Sequence, residues 1–219
     1  NVYIMVDPAH SKKKESNRTA MAVVGVDANY NKFLLDGCCH RMTLSEKWTY
    51  LKKLRTKWKR APGIREVKVG YERYGAQSDI DHFKAMMSID GSSFPVYELS
   101  WVGGGQSQSK KDRIQRLEPD LKDGSFFFPY PTNEKFLTSN QQDYKERNQA
   151  FLISKKVVCI DENRKTYDLC KWVKDNEYNL FPTVHPDFLD ALSRIYDMEP
   201  VPPRFRRSKV LEPDREAAY

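Results

Sequence analysis

The sequence predicts a mixed α/β fold, with helices on both faces of a central sheet. Three apolar segments near the start of the chain, 3–6, 20–27 and 32–40, follow one another with no helical pattern between them. Strands joined without a helix pair antiparallel, because parallel neighbours need a crossover connection. After residue 43, helical and strand-like segments alternate, which favours parallel strands. We therefore expect a mixed sheet that is antiparallel in its first three strands and parallel afterwards.

The composition bounds the class of protein. The 219 residues, 39% of them hydrophobic, are enough to bury a core within one domain. Apolar runs stay well short of the roughly 20 residues that span a bilayer, and a signal peptide is not recognisable, which excludes an integral membrane protein. The four cysteines lack the spacing of a zinc site, so we expect reduced thiols. Because the chain starts inside an apolar run without Met, we interpret it as part of a longer polypeptide.

The first predicted helix follows the three antiparallel strands. Thr43 is suited to cap it, and Glu46, three residues on, would complete a capping box. Apolar side chains at spacings of three and four give it one buried face: Leu44, Trp48, Leu51, Leu54 and Trp58. The segment 61–63 (A-P-G) ends the helix, and its remaining surface is basic.

The later elements alternate between strands and helices. Further strands are expected at 65–71, 95–102 and 125–129, helices at 78–88, from Lys110, at 134–152 and at 186–197, and a hairpin of 155–160 with 165–173. The last helix would bury a stripe that includes Phe188 and Leu192, with Pro186 in its first turn. The proline-rich segment 200–219 is expected to be an extended or disordered tail.

Positive charge is concentrated in the first third of the chain. Residues 1–70 carry 15 basic and 6 acidic side chains, a balance of +9, although the whole chain carries only +7. Such a concentration suits a polyanion, most simply nucleic acid, and makes Lys52 and Lys53 candidate DNA contacts. A solvated basic helix face is the alternative interpretation.

A second basic segment follows a glycine-rich loop. Residues 103–109 are composed as a flexible loop, and Lys110, Lys111 and Arg113 come directly after it. Flexible backbone with adjacent cations is suited to gripping DNA phosphates. The alternative is a disordered loop followed by a capped basic helix.

Four carboxylates form the candidate catalytic and metal site. Asp7 ends the first strand and Glu72 the fourth, where a buried carboxylate is costly unless a cation is bound. Asp187 and Asp190 lie three residues apart, on one face of the last helix. If the two strands are neighbours, these side chains converge. Such an oxygen donor set suits Mg²⁺ or Mn²⁺, and two such ions can hydrolyse a phosphodiester.

Each carboxylate also has an ordinary structural interpretation. Asp7 precedes a proline and could be a turn residue, and Glu72 could form a surface ion pair with its neighbour. Asp187 could oppose the helix dipole. Asp190 could pair with Arg194 one helical turn later.

In the order of its motifs, the sequence resembles the nuclease domain of large terminase subunits, the DNA-packaging enzymes of tailed bacteriophages. The segments that carry the resemblance are Y-I-M-V-D-P-A at 3–9, V-G-Y-E-R-Y-G-A-Q at 69–77, S-K-K-D-R-I at 109–114, S-F-F-F-P at 125–129 and H-P-D-F-L-D-A-L at 185–192. Together they span roughly residues 3 to 195. The resemblance implies a ribonuclease H-like fold, two bound divalent ions, and endonucleolytic cutting of concatemeric viral DNA.

The resemblance also assigns the site residues one by one. Asp7 matches the first-strand aspartate, and Glu72 stands where many relatives have Asp. Asp190 matches the helix aspartate before Ala-Leu, and Asp187 matches a flanking metal-site position. Relatives often have two consecutive aspartates there, a pattern that Pro186 interrupts, so the choice between Asp187 and Asp190 stays open.

The resemblance further implies how the domain is used. Residues 1–199 would be the nuclease domain, with 143–180 as the variable hairpin insertion of the family. Partners would be double-stranded DNA and, in the full-length protein, an N-terminal packaging ATPase, the portal and the small terminase subunit, in the host cytoplasm and away from membranes. The P-loop of that ATPase is absent from this sequence. Two alternatives remain: another ribonuclease H-like nuclease, such as a junction resolvase or transposase core, and a non-catalytic DNA-gripping or portal-docking module.

Overall fold

The architecture is built on one six-stranded mixed sheet. The computed structural model of the chain describes residues 1–9, 18–72, 77–99, 110–129 and 157–204. Along the sheet the strands lie in the order β5-β4-β1-β2-β3-β6. They are β1 (Val2–Asp7), β2 (Thr19–Val26), β3 (Lys32–His40), β4 (Val67–Glu72), β5 (Val96–Leu99) and β6 (Phe126–Phe127).

Strand directions confirm the predicted mixed pattern. β1, β2 and β3 form an antiparallel meander, whereas β4 pairs parallel with both β1 and β5, and β6 pairs parallel with β3. β1 is central, and its residues Val2–Val6 are fully buried. A strand covered on both faces needs such a continuous apolar run.

Six α-helices are described, two of them on one side of the sheet. They are α1 (Leu44–Arg60), α2 (Gln77–Asp90), α3 (Lys110–Gln115), α4 (Glu118–Lys122), α5 (Leu169–Asn176) and α6 (Asp187–Ser193), with 3₁₀ turns at Tyr178–Leu180 and Arg194–Met198. The predicted capping box of α1 is present. The backbone N–H of Glu46 donates to Thr43 Oγ1 over 3.3 Å, and the N–H of Thr43 donates to the Glu46 carboxylate over 2.6 Å.

Helices cover both faces of the sheet. On β3, the Asp36 carboxylate accepts a 2.5 Å hydrogen bond from Lys57 of α1. A side chain at the next residue, Gly37, would contact Phe188 of α6. Because successive residues of a strand point to opposite faces, α1 and α6 lie on opposite sides of β3. Helix α2 packs against α1.

The predicted hairpin near residue 160 is present but shorter than expected. It pairs β7 (Val158–Ile160) with β8 (Thr166–Asp168) in antiparallel fashion. The expectation that the second strand runs to residue 173 is wrong, since α5 begins at Leu169. The Asp168 carboxylate accepts hydrogen bonds from the N–H groups of Cys170 and Lys171, which caps the helix.

The last predicted helix also differs at both ends. It starts with Asp187, so Pro186 is its N-cap, and after Ser193 it continues as a 3₁₀ turn. Its predicted apolar stripe is buried. At the start of the predicted tail, Val201 exchanges hydrogen bonds with the Tyr3 hydroxyl.

Several predicted features lie outside the described residues. They are the basic run 12–14, the glycine-rich loop 103–109, the helix 134–152, the part of the insertion before residue 157, and the tail from 205 onward. Within the described ranges, none of the helices is both long and apolar enough to cross a membrane.

Candidate active site

The four predicted carboxylates meet at one edge of the sheet. Asp7 is the last residue of β1 and Glu72 the last of β4, and these strands are parallel neighbours, so their carboxyl ends lie side by side. Helix α6 packs across β1 and β2 and brings Asp187 and Asp190 to the same edge. Both α6 aspartates are buried, at 5% and 2% exposure.

The ammonium group of Lys110 lies between three of the four carboxylates. Its Nζ lies 3.1 Å from Asp187 Oδ1, 3.5 Å from Asp190 Oδ2 and 4.0 Å from Asp7 Oδ2. Burial disfavours the charged ammonium, yet the three carboxylates together raise the pKa of Lys110 above its ordinary value. One point in the site is therefore within 4.0 Å of three carboxylate oxygens and holds a cation.

Asp7 and Glu72 form a close carboxyl pair. Burial is the largest cause that raises the pKa of Asp7 well above its ordinary value, followed by the charge of Glu72 and a hydrogen bond between the two side chains. Two neighbouring carboxylates in a buried site cannot both ionise freely. Without an added cation, Asp7 therefore keeps its proton to a higher pH than an isolated carboxyl group.

Two arginines form ion pairs with Asp190 and Glu72. Arg113 forms a fork with Asp190, with Nε at 3.0 Å from Oδ1 and Nη2 at 2.7 Å from Oδ2. The buried Arg194 pairs with Glu72 and also with Asp197, the latter over 2.7 Å. The alternative in which Asp190 pairs with Arg194 one helical turn later is wrong. Asp190 pairs with Arg113 and Arg194 pairs with Glu72.

A buried lysine supports the ends of the two strands that carry Asp7 and Glu72. Lys47, 5% exposed, donates from Nζ to the carbonyl oxygen of Ala9 and to Asp79 Oδ2, each over 2.9 Å. The hydroxyl of Tyr71 donates to the same Asp79 oxygen over 2.5 Å. Ala9 follows Asp7 by two residues and Tyr71 precedes Glu72. Lys47 lies three residues after Leu44 and four before Leu51, so its spacing places it on the apolar stripe of α1 and away from the basic surface of that helix.

Glu177 is a second buried charged residue beside the carboxylates, and no sequence pattern predicted it. It is 2% exposed, and its carboxylate accepts hydrogen bonds from the N–H groups of Phe188 and Leu189, over 3.0 and 2.9 Å. Burial is the main cause that raises the pKa of Glu177 to about 7. The local sequence around residue 177 contains no pattern that indicates this contact.

The predicted DNA contacts divide into two groups. Lys110 and Arg113 point into the carboxylate cluster, as described above. Lys53 and Lys111 are exposed, and Lys52 is 41% exposed while forming a 2.7 Å ion pair with Asp90. The DNA-binding role of all five residues stays a prediction.

The four carboxylates suit a hard divalent cation if the Lys110 ammonium moves away from them. In the described ranges, no group of three or more His, Cys, Asp or Glu is already arranged around a metal position. Carboxylate oxygens are nevertheless the ligands that Mg²⁺ and Mn²⁺ prefer, and the raised pKa of Asp7 shows that burial and the charge of Glu72 outweigh the stabilisation that Lys110 gives this carboxylate. Asp7, Glu72, Asp187 and Asp190 are the residues that could hold ions, with Lys110 displaced.

Comparison with known proteins does not assign a family. No protein-family model matches the chain, and no curated protein matches it. The case for function accordingly rests on the residues of this site.

Proposed function

We propose that the chain is a metal-dependent endonuclease that cuts double-stranded viral DNA during genome packaging. The observation that carries the proposal is the convergence of Asp7, Glu72, Asp187 and Asp190 at one sheet edge, three of them within 4.0 Å of the Lys110 ammonium. Buried carboxylates in this number need cations, and hard divalent ions are the cations that phosphodiester hydrolysis uses.

The sheet supports the same proposal. The order β5-β4-β1-β2-β3, with β1, β2 and β3 antiparallel and β5, β4 and β1 parallel, is compatible with a ribonuclease H-like fold. Such a fold would place its acidic residues where β1 and β4 end, as they lie here. Motif order and strand order therefore agree in favouring the nuclease domain of a large terminase subunit.

We assign the carboxylates to metal binding and the exposed lysines to DNA binding. Asp7, which adjoins both Glu72 and the Lys110 ammonium, would be the central residue that holds Mg²⁺ or Mn²⁺ ions. Glu72, Asp187 and Asp190 would complete their ligands. Bound divalent ions supply the Lewis-acid chemistry that activates water and stabilises the leaving oxygen of the phosphodiester. Exposed Lys53 and Lys111 would bind the DNA backbone.

In a full-length packaging protein, the domain would act beside an N-terminal ATPase and with the portal and small terminase subunit. These partners follow from the resemblance to terminases, and the substrate would be concatemeric duplex DNA in the host cytoplasm.

The decisive experiment is cleavage of plasmid DNA in Mg²⁺ or Mn²⁺. We expect Asp7→Asn and Asp190→Asn to lower the cleavage rate by at least about 10²-fold with the fold intact. Glu162→Gln, at an ion pair with Arg41 in the β7–β8 turn, is the control and should cut normally. Full activity in Asp7→Asn would overturn the assignment, and a preference for branched DNA would redirect it to a junction resolvase.

A non-catalytic DNA-gripping module is the second candidate. The observation that favours it is the pairing of the site carboxylates with cations of the chain itself, Lys110, Arg113 and Arg194. Calorimetry separates the two candidates. Duplex binding without any binding of Mn²⁺ would favour the module, whereas binding of Mn²⁺ favours the nuclease.

A further inference from the structure

Helix α6 is capped by a residue from another part of the chain. The N-cap residue, Pro186, has no side-chain group that can accept a hydrogen bond. The N–H groups of the first turn therefore need acceptors from outside the helix. Glu177 supplies the acceptors: Oε1 takes the N–H of Phe188 and Oε2 that of Leu189. Each carboxylate oxygen thus serves one backbone donor, ten or more residues away along the chain.

The same turn carries the two α6 carboxylates. Asp187 directly precedes Phe188, and Asp190 directly follows Leu189, so the two anchored peptide groups lie between them. The other end of the helix is held as well, because Arg116 Nη2 donates to the carbonyl oxygen of Ser193 over 3.1 Å. Movement of the anchored turn would shift both aspartates together.

We infer that Glu177 is a positioning residue that sets the placement of Asp187 and Asp190 for divalent-ion binding, an inference that rests on the proposed function. It acts through the backbone of α6. Metal ligands must lie within a few tenths of an ångström of their required positions, and side chains that orient ligands from behind are the usual means of holding them.

The two hydrogen bonds between Glu177 and the first turn of α6 are shielded from water. Glu177 is 2% exposed, so water does not compete for the two N–H groups. Its carboxylate also interacts with the charges of Asp187 and Lys110, and the Cys39 thiol lies 4.0 Å from Oε1. Charge-assisted hydrogen bonds from backbone N–H groups to a carboxylate are roughly twice as strong as neutral ones. These hydrogen bonds offset part of the cost of burying the carboxylate, since burial still raises the pKa of Glu177 to about 7.

The test compares ion affinity with stability in one pair of variants. Glu177→Gln keeps the size of the side chain, but its amide can accept only one of the two N–H groups and turns a donor toward the other. Met87→Ala, in the buried face of α2, is the matched control for loss of stability. The dissociation constant for Mn²⁺ is measured by calorimetry, and the melting temperature is measured without metal.

We expect Glu177→Gln to weaken Mn²⁺ binding by about 10- to 100-fold, whereas Met87→Ala keeps the wild-type affinity at a comparable loss of melting temperature. Equal affinity in Glu177→Gln and wild type would overturn the positioning role while leaving the proposed function standing. A wild-type protein that binds no Mn²⁺ would overturn both. Should Glu177→Gln fail to fold, Glu177→Asp, which keeps the charge on a shorter side chain, takes its place with the same expected loss.

Discussion

Arg113 holds Asp190 through two parallel hydrogen bonds, 3.0 Å from Nε to Oδ1 and 2.7 Å from Nη2 to Oδ2. Both side chains are largely buried, at 15% and 3% exposure. A planar guanidinium matches a carboxylate in this geometry as a lysine ammonium cannot. The relationship makes Arg113 a structural partner of the site in addition to its predicted role in DNA binding.

Removing Arg113 should therefore destabilise the protein. In Arg113→Met, Asp190 loses both hydrogen bonds of this fork and keeps only the Lys110 ammonium, 3.5 Å away, a change that we expect to cost about 1.5–3 kcal/mol. Lys111→Met, at an exposed position of the same helix, is the control and should alter the free energy of unfolding by less than about 0.5 kcal/mol. Urea denaturation without metal measures both, and equal stabilities would show that the Arg113–Asp190 pair contributes nothing net.

Lys110 should compete with divalent ions for the site. Its ammonium lies within 4.0 Å of three carboxylates, and a bound ion would need the same oxygens. We expect Lys110→Met to bind Mn²⁺ roughly tenfold more tightly, equivalent to about 1.4 kcal/mol. Calorimetry at constant ionic strength gives the comparison. Weaker binding in the variant would mean that Lys110 supports the ion-bound state instead.

Asp7 should make the metal-free protein less stable as the pH rises. Because the pKa of Asp7 is raised in the folded state by burial and by Glu72, the folded protein holds this proton more tightly than the unfolded chain. The stability it contributes is complete below the unfolded pKa and is lost as the pH rises through the folded one. Asp7→Asn mimics the protonated form, so in EDTA it should melt above wild type at pH 8 and approach it near pH 4.

Glu162 provides a control of opposite sign. Burial opposes the shift, but hydrogen bonds, including those from Arg41, lower the pKa of Glu162 below its ordinary value. Its contribution is present above the unfolded pKa and lost as the pH falls through the folded one. Glu162→Gln should thus melt below wild type at pH 8. A common pH trend for both variants would contradict the assignment of the Asp7 effect to the carboxyl pair.

The salt dependence of DNA binding should separate the exposed lysines from Lys110, whose ammonium is paired with carboxylates. Each phosphate contact contributes a slope of about −0.9 to the logarithm of affinity against the logarithm of salt concentration. Lys111→Gln and Lys53→Gln should each flatten that slope by about one contact. Lys110→Gln should leave it unchanged, since its charge is already paired with carboxylates. Fluorescence anisotropy with a duplex in EDTA measures all three, and an unchanged slope in Lys111→Gln would argue against phosphate contact there.

The thiols should react slowly in the folded protein. Cys38, Cys39 and Cys159 are buried, and Cys170 is partly exposed. Burial raises the pKa of each, to about 12 for Cys159 and for Cys170, so little reactive thiolate forms at neutral pH. With Ellman's reagent we expect a slow first phase that Cys170→Ser removes, and four fast thiols in urea. Rapid reaction of all four in the native protein would contradict the described packing.

Local patterns predicted the elements well where neighbours in sequence decide the structure. The spacing of Leu44, Leu51 and Leu54 gave α1, and the pairing of Thr43 with Glu46 gave its start, because caps and amphipathic faces depend on residues within a turn or two. The strand predicted through residue 173 was wrong because a helix cap, which is also a local signal, was overlooked. The apolar alternation there was genuine, but the Asp168 carboxylate caps the backbone and starts α5.

The site was predictable in its residues and unpredictable in its partners. Strand ends and a helix face identified Asp7, Glu72, Asp187 and Asp190 as a group. Their cations come from elsewhere in the chain, and only the folded arrangement shows which cation meets which carboxylate. Glu177 was hidden because it interacts with backbone N–H groups, which no sequence pattern records.

The convergence around Lys110 also has a consequence during protein synthesis. Asp7 and Asp190 contribute to one cluster although they are separated by 183 positions in the chain, from 190 − 7. At translation rates of about 5–20 residues per second, Asp190 is made roughly 10–40 s after Asp7. During the later part of that interval the nascent chain holds Asp7 and Glu72 without α6. The four-carboxylate site is thus assembled only after α6 has left the ribosome.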